Sequence, residues 1–250
     1  MTSKLNLLAS FRIVLCQTSH PGNIGAAARA MKTMGLSQLY LVQPKKFPHP
    51  EADAMSVGAV DLLQNAKVCA SLEEALIGCV FAIGLSARKR DLSHDLVSAR
   101  QAAAEAAQIA ANQQQVALVF GTEMSGLSNA ELDLCQLLAM IPTNPDFSSL
   151  NLAAAVQVMS YELRLAALEG DNIENPNATM PLASNEDVER FYRHLEQTLI
   201  SIGFLNAKEP GRLMQRVRRI YARARLEKEE VNILRGILKL TNNPRPPESN

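Results

Sequence analysis

The sequence of 250 residues has no tryptophan, few aromatic residues and no net charge, with 25 basic against 25 acidic residues. Because aromatic residues make up only 4%, a core must be built mainly from aliphatic side chains, and the hydrophobic fraction of 47% is sufficient for one. The charge balance argues against a uniformly basic surface but leaves room for a local basic patch. At this length we expect one large domain, or one of ordinary size with a small one.

Metal-binding and targeting patterns are also missing. The four cysteines form no CxxC pair and do not cluster with the four histidines. We therefore expect no metal site, and buried free thiols in a reducing compartment. The sequence has no secretory h-region, and no apolar run reaches the ~18 residues of a membrane span. A cytoplasmic protein without a membrane partner is the resulting prediction.

The familiar nucleotide-binding fingerprints are absent as well. There is no GxxxxGK[ST] phosphate loop and no DxGxG loop of the common open-sheet methyltransferases, and only Gly22-x-x-Gly25 is present of GxGxxG. These absences count against a nucleotide-dependent oxidoreductase, although the order of predicted strands and helices leaves that class open.

Short apolar runs alternate with helical patterns through the first 168 residues. Helices are predicted at 23–34, from 51, at 98–112 and at 150–168, and strands at 11–16, 38–42, 67–70, 80–85, 116–120 and 137–141. Ser71 with Glu74, and Ser128 with Glu131, have the spacing of capping boxes. This alternation predicts an α/β fold with a mostly parallel sheet that is covered on both faces.

The composition changes after residue 168. Residues 169–184 are rich in Asn, Pro and acids and predict a linker. Residues from 185 onward have helical patterns, with Ser184 and Asp187 spaced as an N-terminal cap. We therefore predict an α/β domain at 1–168, a linker at 169–184 and a small all-α domain at 185–250.

Three polar stretches, at 17–25, 118–128 and 140–152, each follow a predicted strand, where an open parallel sheet carries its ligand loops. They read N-x-G-x-x-x-R from Asn23 to Arg29, FG-x-E-x-x-GL around Glu123, and IP…S-S-LN ending at Asn151. Backbone amides at the first helix start can bind a phosphate or a carboxylate. Each stretch also has an ordinary interpretation, as a packed glycine turn, a solvated acid or a helix cap.

Taken together and in this order, the three motifs resemble those of the SPOUT methyltransferases. More narrowly, the whole chain is similar to the bacterial TrmJ-type tRNA 2′-O-methyltransferases. The resemblance implies a homodimer with a deep trefoil knot, here at about 116–168. It also implies transfer of a methyl group from S-adenosylmethionine to the ribose of nucleotide 32 in the tRNA anticodon loop, or of another tRNA or rRNA position.

The same resemblance assigns residues to roles. Arg29 would activate the 2′-hydroxyl, and because its pKa exceeds ~12 we favour electrostatic activation over proton abstraction. Asn23, Glu123 and Asn151 would shape the pocket. The loops that would hold the cofactor contain Leu85, Ser86, Ala87, Gly121, Ile141, Ser148, Ser149 and Leu150. Thr122 stands where some relatives have Arg, which leaves one RNA-contacting charge in doubt.

A basic stripe lies in the helical C-terminal part. Arg212, Arg216, Arg219 and Arg223 recur at i, i+4, i+7 and i+11 and share one helix face, while Leu213, Met214, Val217 and Ile220 are predicted to face the other way. Arginines on one face favour phosphate contact, so we predict that this stripe binds tRNA. The alternatives are a solvated face paired with Glu227, Glu229 and Glu230, and for the whole chain a non-catalytic RNA-binding module.

Overall fold

The computed structural model describes residues 7–86, 95–169, 181–206 and 212–242. The chain divides into two compact units, residues 1–176 and 177–250. The first unit contains a seven-stranded sheet in the order β3-β2-β1-β6-β4-β7-β5. Its strands are β1 Phe11–Cys16, β2 Gln38–Val42, β3 Lys67–Cys69, β4 Cys79–Leu85, β5 Leu96–Ser98, β6 Gln115–Phe120 and β7 Leu137–Met140.

Every pairing between these strands is parallel, as the alternation of strands and helices predicts. The interior strand β1 is buried along its whole length because helices cover the sheet. The helices of this unit are α1 Pro21–Met34, α2 Pro50–Ser56, α3 Val60–Gln64, α4 Leu72–Ala75, α5 Ala99–Ala110, α6 Asn129–Asp133 and α7 Leu152–Glu169. The α/β class is confirmed, while the trefoil knot stays a prediction.

Helix α1 is fixed at both ends and along one side. Pro21 stands in its first turn, and Gly35 ends it in the left-handed conformation with φ of 85°. At Gly25 a Cβ atom would lie 2.0 Å from the carbonyl oxygen of Ala52. A residue without a side chain is therefore required for α1 to pack against α2, and the direction in which α1 leaves the polar loop is set by this contact.

Several boundaries differ from the sequence prediction. The short strand β5 and helix α3 were not predicted, since three to five residues are too few to show a period. Helix α7 begins at Leu152 rather than at residue 150. The Asn151 side chain accepts hydrogen bonds from the amides of Ala153 (2.9 Å) and Ala154 (3.4 Å), so Asn151 caps the helix.

Most of the predicted helix caps form, and the cysteines are buried as predicted. Ser128 and Glu131 form a reciprocal capping box. Ser71 caps α4, but the Glu74 carboxylate accepts from the amide of Ala70 rather than from that of Ser71, so only half of that box forms. All four cysteines are buried and free. Among the residues that the structure describes, no helix is long and apolar enough to cross a membrane.

The second unit consists, in its described part, of three helices: α8 Asn185–Ser201, α9 Leu213–Ala224 and α10 Lys228–Asn242. Ser184 caps α8 by accepting from the amide of Asp187, as the spacing predicts. The small core is built on Phe191 from α8 and Val231 from α10. Three packed helices of this length need such a shared core, because short isolated helices are only marginally stable.

Candidate active site

An open pocket lies where β4, β6 and β7 end. Its space not filled by atoms is about 1010 Å³, including the part open to solvent, which leaves room for a ligand of nucleoside size. Ligands of open parallel sheets bind at this edge because the strand-to-helix loops converge there. The pocket is lined by Leu85, Ser86, Phe120, Gly121, Thr122, Glu123, Met124, Ser125, Gly126, Leu127, Leu132, Ile141, Ser148, Ser149, Leu150, Leu152 and Ala155.

The predicted cofactor loops meet in this pocket. Seven of the eight residues named from the sequence line it, namely Leu85, Ser86, Gly121, Ile141, Ser148, Ser149 and Leu150. The eighth, Ala87, lies outside the described residues. The amide of Ser86 donates to the carbonyl of Ala139 at 3.0 Å, which ties the end of β4 to β7. The loops after three strands are thereby brought to one wall.

The loop after β6 folds back tightly on itself. The amides of Thr122 and Gly126 each donate to the other residue's carbonyl, at 3.2 and 3.0 Å. A Cβ atom at Gly121 would lie 2.1 Å from the carbonyl carbon of Gly126, a separation that atoms cannot adopt. Glycine is therefore required at position 121 for the loop to close, and this closure orients Glu123.

The carboxylate of Glu123 binds the start of α1. It accepts from the amides of Ser19 and His20 at 3.2 Å, from the Ser19 hydroxyl at 3.0 Å and from Asn23 Nδ2 at 3.1 Å. Burial raises the pKa of Glu123, but the bonds from Asn23 and these amides outweigh it and lower the pKa to about 2. Glu123 is thus an anion at neutral pH, already surrounded by donors.

The three motifs are joined by one chain of hydrogen bonds. Asn151 Nδ2 donates to Asn23 Oδ1 at 3.0 Å, and Asn23 Nδ2 in turn donates to Glu123. The Asn151 oxygen is occupied by the amides at the start of α7. Because each amide group has both its nitrogen and its oxygen engaged, their orientations are fixed. Asn23, Glu123 and Asn151 therefore form a single polar wall, which we call the motif network.

Replacing Glu123 by glutamine is expected to lower the free energy of unfolding by about 1–2 kcal/mol at pH 7. The carboxylate accepts hydrogen bonds from several N–H groups, and the NH₂ group of a glutamine would face these donors without being able to accept from them. Since the folded pKa lies near 2 and the ordinary value is 4.5, the stabilisation is complete above pH 4.5 and is lost as the pH falls toward 2.

Urea unfolding of both proteins at pH 7 and at successively lower pH measures this difference. The exposed Glu73→Gln serves as the control. A gap between wild type and Glu123→Gln that stays constant from pH 7 to pH 2 would contradict the assignment of the low pKa to Glu123.

Arg29 lies apart from the motif network. It follows Asn23 by six residues, which places it about 120° around the helix at 100° per residue. Its side chain is exposed, and within the described residues its guanidinium has no hydrogen-bond or ion-pair partner. The described residues that line the pocket include no Lys, Arg or His. Any cation that acts at this pocket must therefore come from outside the described residues that line it.

The predicted basic stripe is on α9 and its border, in the second unit. Arg212, Arg216 and Arg223 are exposed and Arg219 is half-buried. Within the described residues the three exposed arginines form no ion pair with Glu227, Glu229 or Glu230, so the alternative of a neutralised face is not seen. Ile220, which is predicted to lie on the face opposite the stripe, is 55% exposed.

Arg218 lies between the stripe residues in sequence, but it forms an ion pair inside the helical unit. Its Nη1 and Nη2 bind both oxygens of Glu189 at 2.6 and 2.8 Å, and its guanidinium lies 4.5 Å from the centre of the Tyr192 ring. This bidentate pair connects α9 to α8. Arg218 therefore stabilises the helical unit, whereas Arg212, Arg216 and Arg223 form no ion pair within the described residues.

Sequence reasoning missed part of the site. It predicted that amides at the start of α1 could bind a carboxylate, but not that this carboxylate is the chain's own Glu123. The single acid between the two glycines of the second motif was the signal. It also missed Met124, Leu127 and Leu132 as pocket residues, since apolar side chains near a turn are not distinguishable from core residues in sequence.

Comparisons with known proteins agree with this geometry. The SpoU rRNA methylase family model matches residues 10–161, and the model of the tRNA methyltransferase TrmJ C-terminal domain matches residues 186–249. The chain is 49% identical to the tRNA (cytidine/uridine/adenosine-2′-O-)-methyltransferase TrmJ of Pseudomonas aeruginosa, over 94% of this chain and 95% of that protein.

Two further relatives match over most of their length. The tRNA (cytidine/uridine-2′-O-)-methyltransferase TrmJ of Escherichia coli K12 is 48% identical over 93% of this chain and 95% of its own. The crystal structure of TrmJ from Z. mobilis ZM4 superposes with a TM-score of 0.79 and 31% identity, over 92% of this chain and 98% of that one. The matches span both units.

Proposed function

The chain belongs to the SpoU methylase family and within it to the TrmJ tRNA methyltransferases, and from this premise we propose that it methylates the ribose 2′-hydroxyl of cytidine or uridine at nucleotide 32 of the tRNA anticodon loop. The methyl donor in this proposal is S-adenosylmethionine. The observation that carries the proposal is the chain of hydrogen bonds that joins all three motifs and ends at Glu123, which lines the pocket. Since tRNA is the substrate, we place the enzyme in the cytoplasm.

The residues of the pocket suit S-adenosylmethionine. Leu85, Ile141 and Leu150 supply apolar surface against which an adenine can lie, and the loop closed by Gly121 brings backbone groups to the same wall. When bound there, S-adenosylmethionine supplies a methyl group on a positively charged sulfur, which makes the methyl electrophilic without a metal. What the protein must add is orientation of the ribose and activation of its hydroxyl.

We assign activation to Arg29 and orientation to the motif network. A free guanidinium near the 2′-hydroxyl favours the alkoxide form by electrostatic attraction, and Arg29 has no competing partner among the described residues. Glu123, Asn23 and Asn151 hold one another in place and so present a rigid polar surface beside the cofactor loops. Rigid positioning matters because displacement reactions gain much of their rate from alignment.

Family membership also supports proposals about the domains and the assembly of the protein. We propose that the first 168 residues are the catalytic domain, with a trefoil knot at about 116–168, and that residues 169–184 link it to the tRNA-binding helices at 185–250. We further propose that the enzyme works as a homodimer.

Mass-spectrometric mapping of ribose methylation in tRNA from a deletion strain tests the proposed function. Loss confined to nucleotide 32, with recovery by the wild-type gene, is the expected result. Loss at another tRNA or rRNA position would redirect the assignment to that position, and unchanged methylation throughout would overturn it.

Replacing Arg212, Arg216 and Arg223 by alanine is expected to weaken tRNA binding in a salt-dependent manner. Each exposed arginine that neutralises a phosphate contributes about 0.7–0.9 to the slope of log K against log salt, so the slope should flatten by about 2–3. Filter binding between 50 and 300 mM salt measures it. The triple lysine variant, which keeps the charges, is the control, and an unchanged affinity at low salt would remove the stripe from the interface.

A further inference from the structure

Two exposed apolar side chains, one in the pocket lining and one directly before a lining residue, are left unexplained by the proposed roles. Met124 lines the pocket and is 95% exposed, and Phe147, directly before Ser148, is 80% exposed. Isolated exposed apolar side chains are common on protein surfaces. Apolar side chains at the entrance of a ligand site instead indicate a contact with what enters it.

Phe147 is presented by an ordered turn. Its amide donates to the carbonyl of Asn144 at 3.0 Å, and the amide of Asp146 donates to the Asn144 side chain at 3.0 Å. On the other side, the Thr143 hydroxyl donates to the carbonyl of Ser148 at 3.2 Å. The backbone on both sides of Phe147 is thus held by hydrogen bonds, so the ring can contact a ligand without first ordering a loose loop.

Phe147 also stands out among the aromatic residues of this chain. Phe11, Phe81 and Phe120 of the same unit are buried, and no aromatic side chain in the described part of the chain is more exposed than Phe147. With aromatic residues so scarce, an exposed ring directly before Ser148 and Ser149, which line the pocket, is available for stacking rather than for the core.

Resting on the function proposed above, we propose that Phe147 is the platform on which the base of the target nucleotide stacks while its ribose is methylated. An enzyme that accepts both cytidine and uridine cannot depend on the base edge, since the two differ there in donors and acceptors. A stacking contact accepts both, because every base has a π-face. Bases in RNA loops are commonly recognised on aromatic side chains in this way.

A double-mutant cycle between the ring and the base tests the contact. The two substrates are an anticodon stem-loop RNA with cytidine at the methylated position, and the same RNA with an abasic ribose that keeps its 2′-hydroxyl. They are assayed with wild type, Phe147→Ala and Phe147→Trp. Val68→Ala, an exposed position on the edge strand β3, is the control.

We expect kcat/KM to fall roughly tenfold when Phe147→Ala acts on the intact RNA. We expect a fall of roughly tenfold also when wild type acts on the abasic RNA, because one stacked base usually contributes a free energy of this size. The two changes together should cost little more than either alone, because they remove the same contact. Phe147→Trp should keep most of the activity and the sensitivity to the base, and Val68→Ala should resemble wild type.

Three results would overturn the proposal that Phe147 is the platform. The first is a combined loss of about a hundredfold, the product of the two single losses, and the second is no loss in Phe147→Ala. The third is a loss in Phe147→Ala that is accompanied either by weaker S-adenosylmethionine binding in calorimetry or by a smaller assembly in light scattering. The last pair would mean that Phe147 supports the cofactor loop or an interface between copies of the chain. If wild type fails to methylate the intact RNA, the proposed function itself fails, and this is seen before any variant is assayed.

Discussion

Replacing Arg29 by alanine is expected to lower kcat for tRNA methylation by at least 100-fold, while the affinity for S-adenosylmethionine stays within about twofold of wild type. Loss of one electrostatic group that acts on developing charge costs about 10²–10³ in rate. The motif network and the described pocket wall do not include Arg29, so the variant leaves them intact. Single-turnover methylation and calorimetric titration with the cofactor measure the two quantities.

Lys32→Ala is a matched control for Arg29→Ala, since it removes an exposed cation from the same helix. Lys32 pairs with Asp61 at 2.6 Å on the surface, a pair that contributes little to stability. Arg29→Lys keeps the positive charge but loses the planar guanidinium group, so this variant should retain part of the rate. Full activity in Arg29→Ala would remove Arg29 from catalysis.

Replacing Gly121 by alanine is expected to weaken S-adenosylmethionine binding by more than 100-fold. The added Cβ would lie 2.1 Å from the Gly126 carbonyl carbon and 2.2 Å from the Leu127 nitrogen, so the backbone of the loop has to move. The same loop carries Glu123, so the motif network should be disturbed with it. Calorimetry measures the affinity, and thermal unfolding separates loss of binding from loss of the fold.

Gly236→Ala is the matched control for Gly121→Ala. Nothing lies within 4 Å of the position that its Cβ would occupy, and Gly236 is within helix α10. Alanine there should raise stability by about 0.5–1 kcal/mol because it favours the helix. If Gly121→Ala binds the cofactor as wild type does, the tight closure of the loop after β6 is not needed for the site.

The sheet and the polar loops that follow its strands could be predicted from sequence because their signals are local. Apart from Arg12 and Gln115, β1 and β6 consist of apolar residues, which predicts strands covered on both faces. The three motifs follow such strands, and parallel strands bring their ends together. The short strand β5 has no such signal, and the exposure of Ile220 depends on how α9 packs, which a helical period alone does not determine.

The motif network could not be predicted, for a physical reason. Hydrogen bonds between Asn23, Glu123 and Asn151 depend on distances of a few tenths of an ångström between residues far apart in sequence. The helix start at residues 19–20 was expected to bind a ligand anion, and its amides are instead occupied by Glu123. These two amides are therefore not available to a ligand phosphate.

The motif network also bears on when the enzyme becomes active as it folds. Its bonds join residues 100 to 128 positions apart, so they form only after β6, the loop before α7 and the start of α1 have come together. Contacts of such long sequence separation form late and slowly. A nascent chain that has not yet emerged beyond residue 151 lacks one of the three partners, so we expect methylation competence only after every strand of the sheet has been synthesised.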